Sequence, residues 1–178
     1  FFDGDSDNLT GGVTLESVKH NIWIPSEPND YLKLEPILQY ADKPHHVAAW
    51  NMLRTFTSSM LNNSNIGRNL RFIVRDKITE KYLGVICVSS AFMDLTPRDN
   101  CIGWSKKVKT EQKMINHTAI GSTIVPVQPL GYDYLGGKLL ALLTISEDIA
   151  NTWEKEYGYK LAAVTTTSLY GSFSQYNS

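Results

Sequence analysis

The amino-acid sequence predicts an α/β (α+β) fold in which helices flank a mixed, mostly antiparallel central sheet. Short runs of β-branched and aromatic residues alternate with longer segments in which apolar residues recur every three or four positions. The chain has 178 residues, 42% of them hydrophobic and 20% charged, which is enough for one well-buried core. We therefore expect residues 1–178 to form a single domain.

The N-terminal third predicts a first strand, or a pair of short ones, followed by two helices. Residues 13–24 are rich in β-branched and aromatic side chains, which favours a strand. Between Tyr31 and Leu61 apolar residues recur at intervals of three and four, which is typical of amphipathic helices. The sequence KPHH predicts a bend between two such helices.

The central part predicts a hairpin and a further strand. The apolar runs LRFIV and YLGVICVS flank the charged segment RDKITEK, which indicates an antiparallel hairpin with a buried central strand. Residues 93–104, MDLTPRDNCIGW, are irregular and precede a lysine-rich stretch. Residues 116–127, NHTAIGSTIVPV, predict the next strand.

The C-terminal part predicts a helix, a strand and the start of another helix. Residues 136–158 have a helical apolar face and end at Gly158. That face is formed by Leu139, Leu140, Leu143, Ile149 and Trp153. Residues 160–171 predict a last strand, and residues 172–178 begin with residues typical of a helix N-terminus.

A glycine-rich loop lies within residues 124–140, IVPVQPLGYDYLGGKLL, between a predicted strand and a predicted helix. Such a loop leaves backbone N–H groups unpaired at the positive end of a helix, which suits a pyrophosphate. Alternatively, Gly136 and Gly137 only allow the helix to pack closely on the sheet. The loop by itself leaves both interpretations open.

The order of the elements resembles that of the GNAT acyltransferases, in which the glycine loop after the fourth strand holds the pyrophosphate and pantetheine of acyl-CoA. Gln128 and Gly131 are similar to the Q/R-x-x-G-x-G/A signature, and Asp133 stands at its third conserved place. The resemblance implies one GNAT-like domain that lacks the last strands of the fold and binds acyl-CoA or acetyl-CoA. The cofactor-binding residues that it implies are Val127, Gln128, Gly131, Tyr132, Gly136, Gly137 and Lys138.

A second resemblance concerns the irregular segment and the end of the chain. LTPRDNCIGW resembles the RD-x-x-IGW signature of the DruA family, known from Druantia anti-phage systems. VTTTSLYGSFSQYN resembles the strand and G-x-x-Y segment of that family and of the phage Mom proteins, which modify adenine in DNA. Together these likenesses span about residues 70–178 and imply a phage- or defence-related protein that acts on DNA.

Acyl transfer to an amine requires a route for the nucleophile's proton and an acid that protonates the departing thiolate. Tyr176 follows the last predicted strand, where GNAT-like enzymes place such an acid, and Ser174 is a second candidate as a proton relay. The alternative is that Tyr176 is an amphipathic tyrosine that covers the core.

A cationic cluster follows the irregular segment and is the candidate nucleic-acid face. A rigid turn at Arg98 and Asp99 could present the guanidinium to a phosphate, and Trp104 could stack on a base. The alternatives are that the two opposite charges hold the turn and that the lysines belong to a solvated loop. The candidate nucleic-acid-binding residues are Arg98, Trp104, Lys106, Lys107 and Lys109.

Composition limits the remaining functional classes. The net charge of −1 excludes a wholly basic nucleic-acid-binding protein. The two cysteines, Cys87 and Cys101, cannot form a disulfide framework, and no histidines stand near them at the spacing of metal ligands. No apolar stretch approaches the roughly twenty residues of a membrane span. We expect a cytoplasmic protein, in a phage-infected host cell, that binds neither a metal nor a membrane.

Three functions remain open at this point. The first is a GNAT-fold enzyme that transfers an acyl-type group to a nucleic-acid base. The second is an acyl-CoA-dependent N-acyltransferase that acts on a small amine or a protein and does not need the lysines. The third is a nucleic-acid-binding module that has the fold without catalysis.

Overall fold

The computed structural model describes residues 12–58 and 66–167. These residues contain one five-stranded sheet in which the strands follow each other in chain order. The strands are β1 (Pro36–Tyr40), β2 (Asn69–Asp76), β3 (Tyr82–Ser90), β4 (Thr118–Pro126) and β5 (Ala163–Thr165). Neighbours from β1 to β4 are antiparallel, and β5 is parallel to β4. The mixed, mostly antiparallel sheet predicted from the sequence is confirmed.

Helices cover the sheet. They are α1 (Leu15–His20), α2 (Pro44–Thr57), α3 (Thr96–Ile102), α4 (Leu130–Asp133), α5 (Gly136–Leu143) and α6 (Glu147–Tyr157). Short 3₁₀ turns lie at Asp30–Lys33 and Met114–His117, and a π-helical turn lies at Lys107–Glu111. No helix in the described part of the chain is long and apolar enough to cross a membrane.

Helices α2 and α5 lie on opposite faces of the sheet. The guanidinium of Arg71 in β2 lies 5.5 Å from the ring of Trp50 in α2. Arg71 pairs with Cys87 of β3. Gly84 lies three residues before Cys87 on β3, so its side-chain position faces the other side of the sheet. A Cβ at Gly84 would lie 2.5 Å from the side chain of Leu140 in α5. Because side chains alternate along a strand, the two contacts mark the two faces.

Strand β3 is the centre of the core, because every residue from Leu83 to Ser89 is buried. The largest fully buried side chains come from β2, β3 and the flanking helices and include Phe72, Ile86, Trp50, Leu140 and Trp153. The predicted hairpin with a buried central strand is therefore confirmed, as is strand β4. The apolar face predicted for residues 136–158 also packs inward.

The strand predicted at residues 13–24 is wrong for its first part, which forms α1. Thr14 and Ser17 form a capping box: the Thr14 hydroxyl accepts from the Ser17 N–H at 3.1 Å, and the Ser17 hydroxyl accepts from the Thr14 N–H at 3.0 Å. This reciprocal cap starts a helix in spite of the β-branched composition. Only Ile22 pairs as an isolated bridge, with Tyr82.

The first of the two helices predicted between Tyr31 and Leu61 is also wrong. Residues 36–40 form β1 and pair with β2, from Pro36 opposite Asp76 to Tyr40 opposite Phe72. A five-residue apolar segment fits either a helix or a strand by periodicity, and pairing with β2 decides between them. The second predicted helix is confirmed as α2 and begins with Pro44 in its first turn.

Two further boundaries differ from the predictions. The irregular segment 93–104 contains α3, which ends at Gly103 in the left-handed region, φ 76°. The helix predicted over residues 136–158 is divided in two, because Ser146 is extended and occupies the position before the first turn of α6. Gly158 ends α6 at φ 75°, as predicted. The predicted last strand contains β5, and the helix predicted at 172–178 lies outside the described residues.

Candidate functional site

A fork opens between the parallel strands β4 and β5. They pair over only three residues each, ending with Ile120 opposite Thr165. Strand β4 then continues over residues 121–126, which pair with β3 except at Ser122 and have no β5 partner among the described residues. Within residues 12–58 and 66–167, the two strands thus diverge after Ile120 and Thr165.

A β-bulge lies at the base of this fork. Cys87 of β3 pairs with Thr123 and Val88 pairs with Gly121, so Ser122 is the extra residue on β4. A bulge interrupts the ladder and turns a side chain in a new direction. Ser122 is exposed, although the strand opposite it is buried.

The bulge carries a cluster of polar side chains that the sequence reasoning missed. The Ser122 hydroxyl lies 2.7 Å from that of Ser89, and the Ser89 hydroxyl donates to Oδ1 of Asn69 at 2.8 Å. Cys87 Sγ lies 3.5 Å from the Ser89 hydroxyl. Ser89 is only 1% exposed. The available signal was a serine at the end of an apolar strand, which is too common to indicate a site.

The glycine-rich loop is short and tightly packed. The N–H of Gly131 donates to the carbonyl of Val127 at 2.8 Å, and that of Lys138 donates to Leu135 at 2.9 Å. A Cβ at Gly136 would lie 2.8 Å from the carbonyl oxygen of Leu130, too close for any side chain. Close packing alone therefore explains the glycine at position 136.

The remaining donors of the loop fit an anion. The first N–H groups of α5, at Gly136 and Gly137, have no acceptor within the helix, and the half-buried Lys138 adds a positive charge to the same turn. Tyr132 is 88% exposed and Gln128 is also exposed, whereas Val127 is fully buried in the core. Gly136, Gly137 and Lys138 are consecutive residues in the first turn of α5, where both glycines are buried, and the Val127 side chain belongs to the core.

Arg98 lies in a buried polar cluster. Its side chain is 2% exposed and donates to the carbonyls of Phe92, at 2.7 Å, and Met93, at 3.3 Å. Two of its nitrogens donate to Oδ1 of Asp99, at 2.8 and 2.6 Å, and its guanidinium lies 5.5 Å from the ring of Trp104. The arginine therefore holds the segment between β3 and α3.

Asp99 joins this arginine to a lysine from the next turn. Lys109 Nζ lies 2.7 Å from Oδ2 of Asp99 and 2.9 Å from Oδ1 of Asp94, and the Lys109 side chain is 7% exposed. The hydrogen bond from Lys109, with that from Arg98, lowers the pKa of Asp99 below its ordinary value. The same bond to Asp99, with that to Asp94, raises the pKa of Lys109.

The predicted nucleic-acid face therefore divides into two groups. Arg98, Trp104 and Lys109 belong to the cluster around Asp99, and Trp104 is half-buried. Lys106, directly before the π-helical turn, and Lys107, its first residue, are exposed. Exposed lysines are available to a phosphate as they stand, whereas Arg98 and Lys109 would first have to leave their acceptors.

Two predicted residues cannot be located. Tyr176 and Ser174 lie outside the described residues, so their placement relative to the fork stays a prediction. Within residues 12–58 and 66–167, no group of three or more His, Cys, Asp or Glu side chains is arranged to hold a metal ion.

Comparison with known proteins identifies the family. The family model described as "Druantia protein DruA" matches residues 31–178. Druantia protein DruA of Escherichia coli (strain UMEA 4076-1) is 30% identical to this chain over 157 residues, which is 82% of this chain and 38% of that protein. The chain thus spans less than two fifths of the curated relative's length. No solved structure matches the chain significantly. Because the family model covers most of the sequence, the chain belongs to the DruA family.

Proposed function

We propose that this chain serves in anti-phage defence as a GNAT-like acyltransferase that transfers an acyl-type group from acyl-CoA to an amine of a nucleic-acid base. Membership of the DruA family supports the defence role. The fork between β4 and β5 is the observation that carries the acyltransferase part. Strand β4, which forms one side of the fork, leads into the glycine loop, in the order that the GNAT resemblance implies.

The residues around the fork have distinct roles in this proposal. Gly136 and Gly137 donate backbone N–H groups to the pyrophosphate, and Lys138 neutralises part of its charge. The side of β4 that has no strand partner among the described residues, at positions 121–126, would hydrogen-bond to the pantetheine arm of acyl-CoA. When bound, acyl-CoA supplies an acyl group activated as a thioester. Tyr176 is the proposed acid that protonates the leaving thiolate, and Ser174 is the proposed proton relay.

The exposed lysines supply the contact with nucleic acid. Lys106 and Lys107 are available to phosphate oxygens, and Trp104 lies beside them on the same segment. In this proposal Arg98 and Lys109 do not contact the nucleic acid. Their hydrogen bonds to Asp99 hold the segment that carries Trp104, Lys106 and Lys107.

A non-catalytic nucleic-acid-binding module of the same fold is the second candidate. It is favoured by Gly136, whose close approach to Leu130 explains the glycine without any phosphate. Asp133 also adds a negative charge to the loop, which disfavours a pyrophosphate. The third possibility, transfer to a small amine or a protein, differs from the first only in its acceptor.

Thermal unfolding with CoA and acetyl-CoA tests the cofactor part. A ligand at 100 times its Kd stabilises by about 2.7 kcal/mol, which for a chain of this size raises Tm by about 5–11 °C. We expect this rise in the wild type and in Leu142→Trp, a bulky change at an exposed position of α5 away from the loop. Gly137→Trp should unfold at the same temperature with and without ligand.

The outcomes separate the candidate functions. No rise in the wild type would refute acyl-CoA binding and leave the binding module. A rise in the wild type would be followed by labelled acetyl transfer to a DNA oligonucleotide and to putrescine. Transfer to putrescine alone would refute action on nucleic acid and favour the small-amine enzyme.

A further inference from the structure

A cavity of about 490 Å³ lies beside the turn of the β2–β3 hairpin. All of its walls come from residues 20–34 and 76–81, so it includes no residue of the glycine loop, of β4 or of β5. Small-molecule sites in proteins have volumes of about 300–1,000 Å³. The cavity is therefore large enough for a ligand and separate from the site proposed above.

The segment after α1 forms one wall of the cavity. The N–H of Trp23 donates to the carbonyl of Tyr82 at 3.0 Å, and the N–H of Tyr82 donates to the carbonyl of Asn21 at 2.7 Å. These bonds hold the segment against the start of β3. The 3₁₀ turn and the hairpin turn form the other walls. The apolar side chains on these walls are Ile22, Trp23, Ile24, Leu34 and Ile78.

The two carboxylates in the cavity are already engaged by the protein. Asp76 is 2% exposed, and it accepts from the Glu35 N–H at 2.9 Å and from the N–H and hydroxyl of Thr79 at 2.8 and 2.7 Å. Asp30 accepts from two backbone N–H groups through one oxygen and from Lys33 Nζ, at 2.9 Å, through the other. Neither carboxylate is therefore a ready partner for a cationic ligand.

The ammonium group of Lys81, in contrast, has hydrogen-bonding capacity left. It donates to the carbonyl of His20 at 2.9 Å and to Oδ1 of Asn21 at 3.3 Å, which are both neutral acceptors. An ammonium has three hydrogens, so one remains. Lys81 is half-buried and forms no ion pair in the described part of the chain. Its charge is thus partly shielded from solvent and is available to an anion.

The indole N–H of Trp23 is a second donor with capacity left. A buried indole N–H usually has a partner, because an unpaired buried donor costs free energy. The indoles of Trp50 and Trp153 donate to backbone carbonyls at 3.1 and 3.3 Å. Trp23 is only 4% exposed, yet its indole N–H has no acceptor among residues 12–58 and 66–167. Because Trp23 lines the cavity, a ligand bound there can supply the acceptor.

These two donors fit a carboxylate better than a phosphate. One ammonium hydrogen and one indole N–H match the two oxygens of a carboxylate. A phosphate is usually held by more donors, often those of an arginine, and no arginine lines the cavity. The apolar walls favour a ligand that also has an apolar body.

We propose that this cavity binds an organic carboxylate with an apolar ring, whose oxygens accept hydrogen bonds from Lys81 and from the Trp23 indole. The alternative is that Lys81 only caps the C-terminus of α1, whose last residue is His20. In that case a carboxylate would bind no better than a neutral molecule of the same shape. The proposal does not depend on the proposed function, because none of the residues assigned to acyl-CoA or nucleic acid lines the cavity.

The test is an NMR titration of the uniformly ¹⁵N-labelled protein with 3-phenylpropionate and with 3-phenylpropionamide, which has the same shape without the charge. We expect the carboxylate to bind about fivefold to fifteenfold tighter, the difference between a hydrogen bond to a charged group and one to a neutral group. The indole resonance of Trp23, identified by its absence in Trp23→Phe, should shift. Those of Trp50 and Trp153 should not, because both indoles are bonded within the protein.

Three other probes test the rest of the assignment. Propionate lacks the ring, 3-phenylpropylamine carries the opposite charge, and adenosine 5′-monophosphate combines a ring with a phosphate. All three should bind more weakly than 3-phenylpropionate.

Variants separate recognition by Lys81 from a structural effect. Lys81→Met should bring the carboxylate and the amide to equal affinity, whereas Lys81→Arg, which keeps the charge, should keep the preference. Lys77→Met is the matched control, because Lys77 is an exposed lysine of the same hairpin turn that does not line the cavity. It should also keep the preference. Trp23→Phe keeps a ring but loses the donor, so it should weaken the carboxylate about twofold to tenfold.

Three results would overturn the site: equal affinities of carboxylate and amide in the wild type, no shift of the Trp23 indole, or an unchanged preference in Lys81→Met. Loss of the preference in Lys77→Met as well would also overturn it, since a general charge effect would then explain the binding. Tighter binding of the amine would refute the assignment to an anion. Tighter binding of adenosine 5′-monophosphate with the same indole shift would refute the assignment to a carboxylate.

Discussion

Replacing Arg98 with lysine tests whether the guanidinium holds the segment between β3 and α3. Lysine keeps the positive charge but loses the planar fork that reaches three acceptors at once. In the structure these acceptors are the carbonyls of Phe92 and Met93 and the carboxylate of Asp99. The variant therefore changes hydrogen-bond geometry while net charge stays the same.

The expected loss follows from the hydrogen bonds that a lysine cannot make. A hydrogen bond that involves a charged group contributes about 1.5–3 kcal/mol, and the Arg98 side chain is 2% exposed, so water replaces little of what is lost. One ammonium can still reach one of the acceptors. We expect Arg98→Lys to lower the free energy of unfolding by about 2–4 kcal/mol.

Urea denaturation followed by tryptophan fluorescence measures this loss. With a denaturant slope of about 2 kcal/mol per M, the midpoint should fall by about 1–2 M. Lys106→Ala is the matched control, because its side chain is exposed on the same segment, and its midpoint should stay within about 0.25 M of the wild type. Equal midpoints for Arg98→Lys and the wild type would show that the hydrogen bonds of Arg98 do not hold this segment. Arg98 would then again be a candidate for contact with a phosphate.

Three further predictions concern the sheet, one carboxylate and the exposed lysines. Gly84→Ala should destabilise by about 2–4 kcal/mol in the same urea assay, because the new Cβ would lie 2.5 Å from a β4 backbone carbonyl oxygen; an unchanged midpoint would argue against this strand packing. Burial tends to raise the pKa of Asp76, but hydrogen bonds from Thr79 and from backbone N–H groups outweigh it and hold the pKa below its ordinary value. Its stabilisation should be complete above the unfolded-state pKa and lost as the pH falls through the lower folded value, and Asp76→Asn should flatten stability measured between about pH 3 and 6. Replacing Lys106 and Lys107 with alanine should lower the salt dependence of DNA affinity by about 2 in log–log slope; an unchanged slope would remove both from the interface.

Local sequence patterns were sufficient to predict those elements whose structure is determined by residues close together in the chain. The β2–β3 hairpin has two apolar runs around a charged turn, and Gly158 ends α6 in the left-handed region that glycine tolerates best. The DruA signature is likewise continuous in sequence, in residues 95–104. Each of these features depends on residues within a few positions of each other, so no distant contact is needed to interpret it.

Other elements depended on partners that the sequence does not display. Residues 36–40 form β1 because they make five residue pairs with β2. Helix α1 forms because Thr14 and Ser17 make a capping box at its N-terminus. Short apolar segments have nearly equal preference for helix and strand, so a small energy from pairing or capping decides between them.

The sequence by itself determined the family, the mixed α/β class, the hairpin and the position of the glycine loop. Only the tertiary structure decided that Arg98 and Lys109 share Asp99, that Gly136 packs against Leu130, and that a fork opens after Ile120. It also assembled the cluster at the bulge, where Ser89 meets Asn69 across 20 residues of sequence and Ser122 across 33. Hydrogen bonds act over about 3 Å, and only pairing of the strands brings such distant residues within that range.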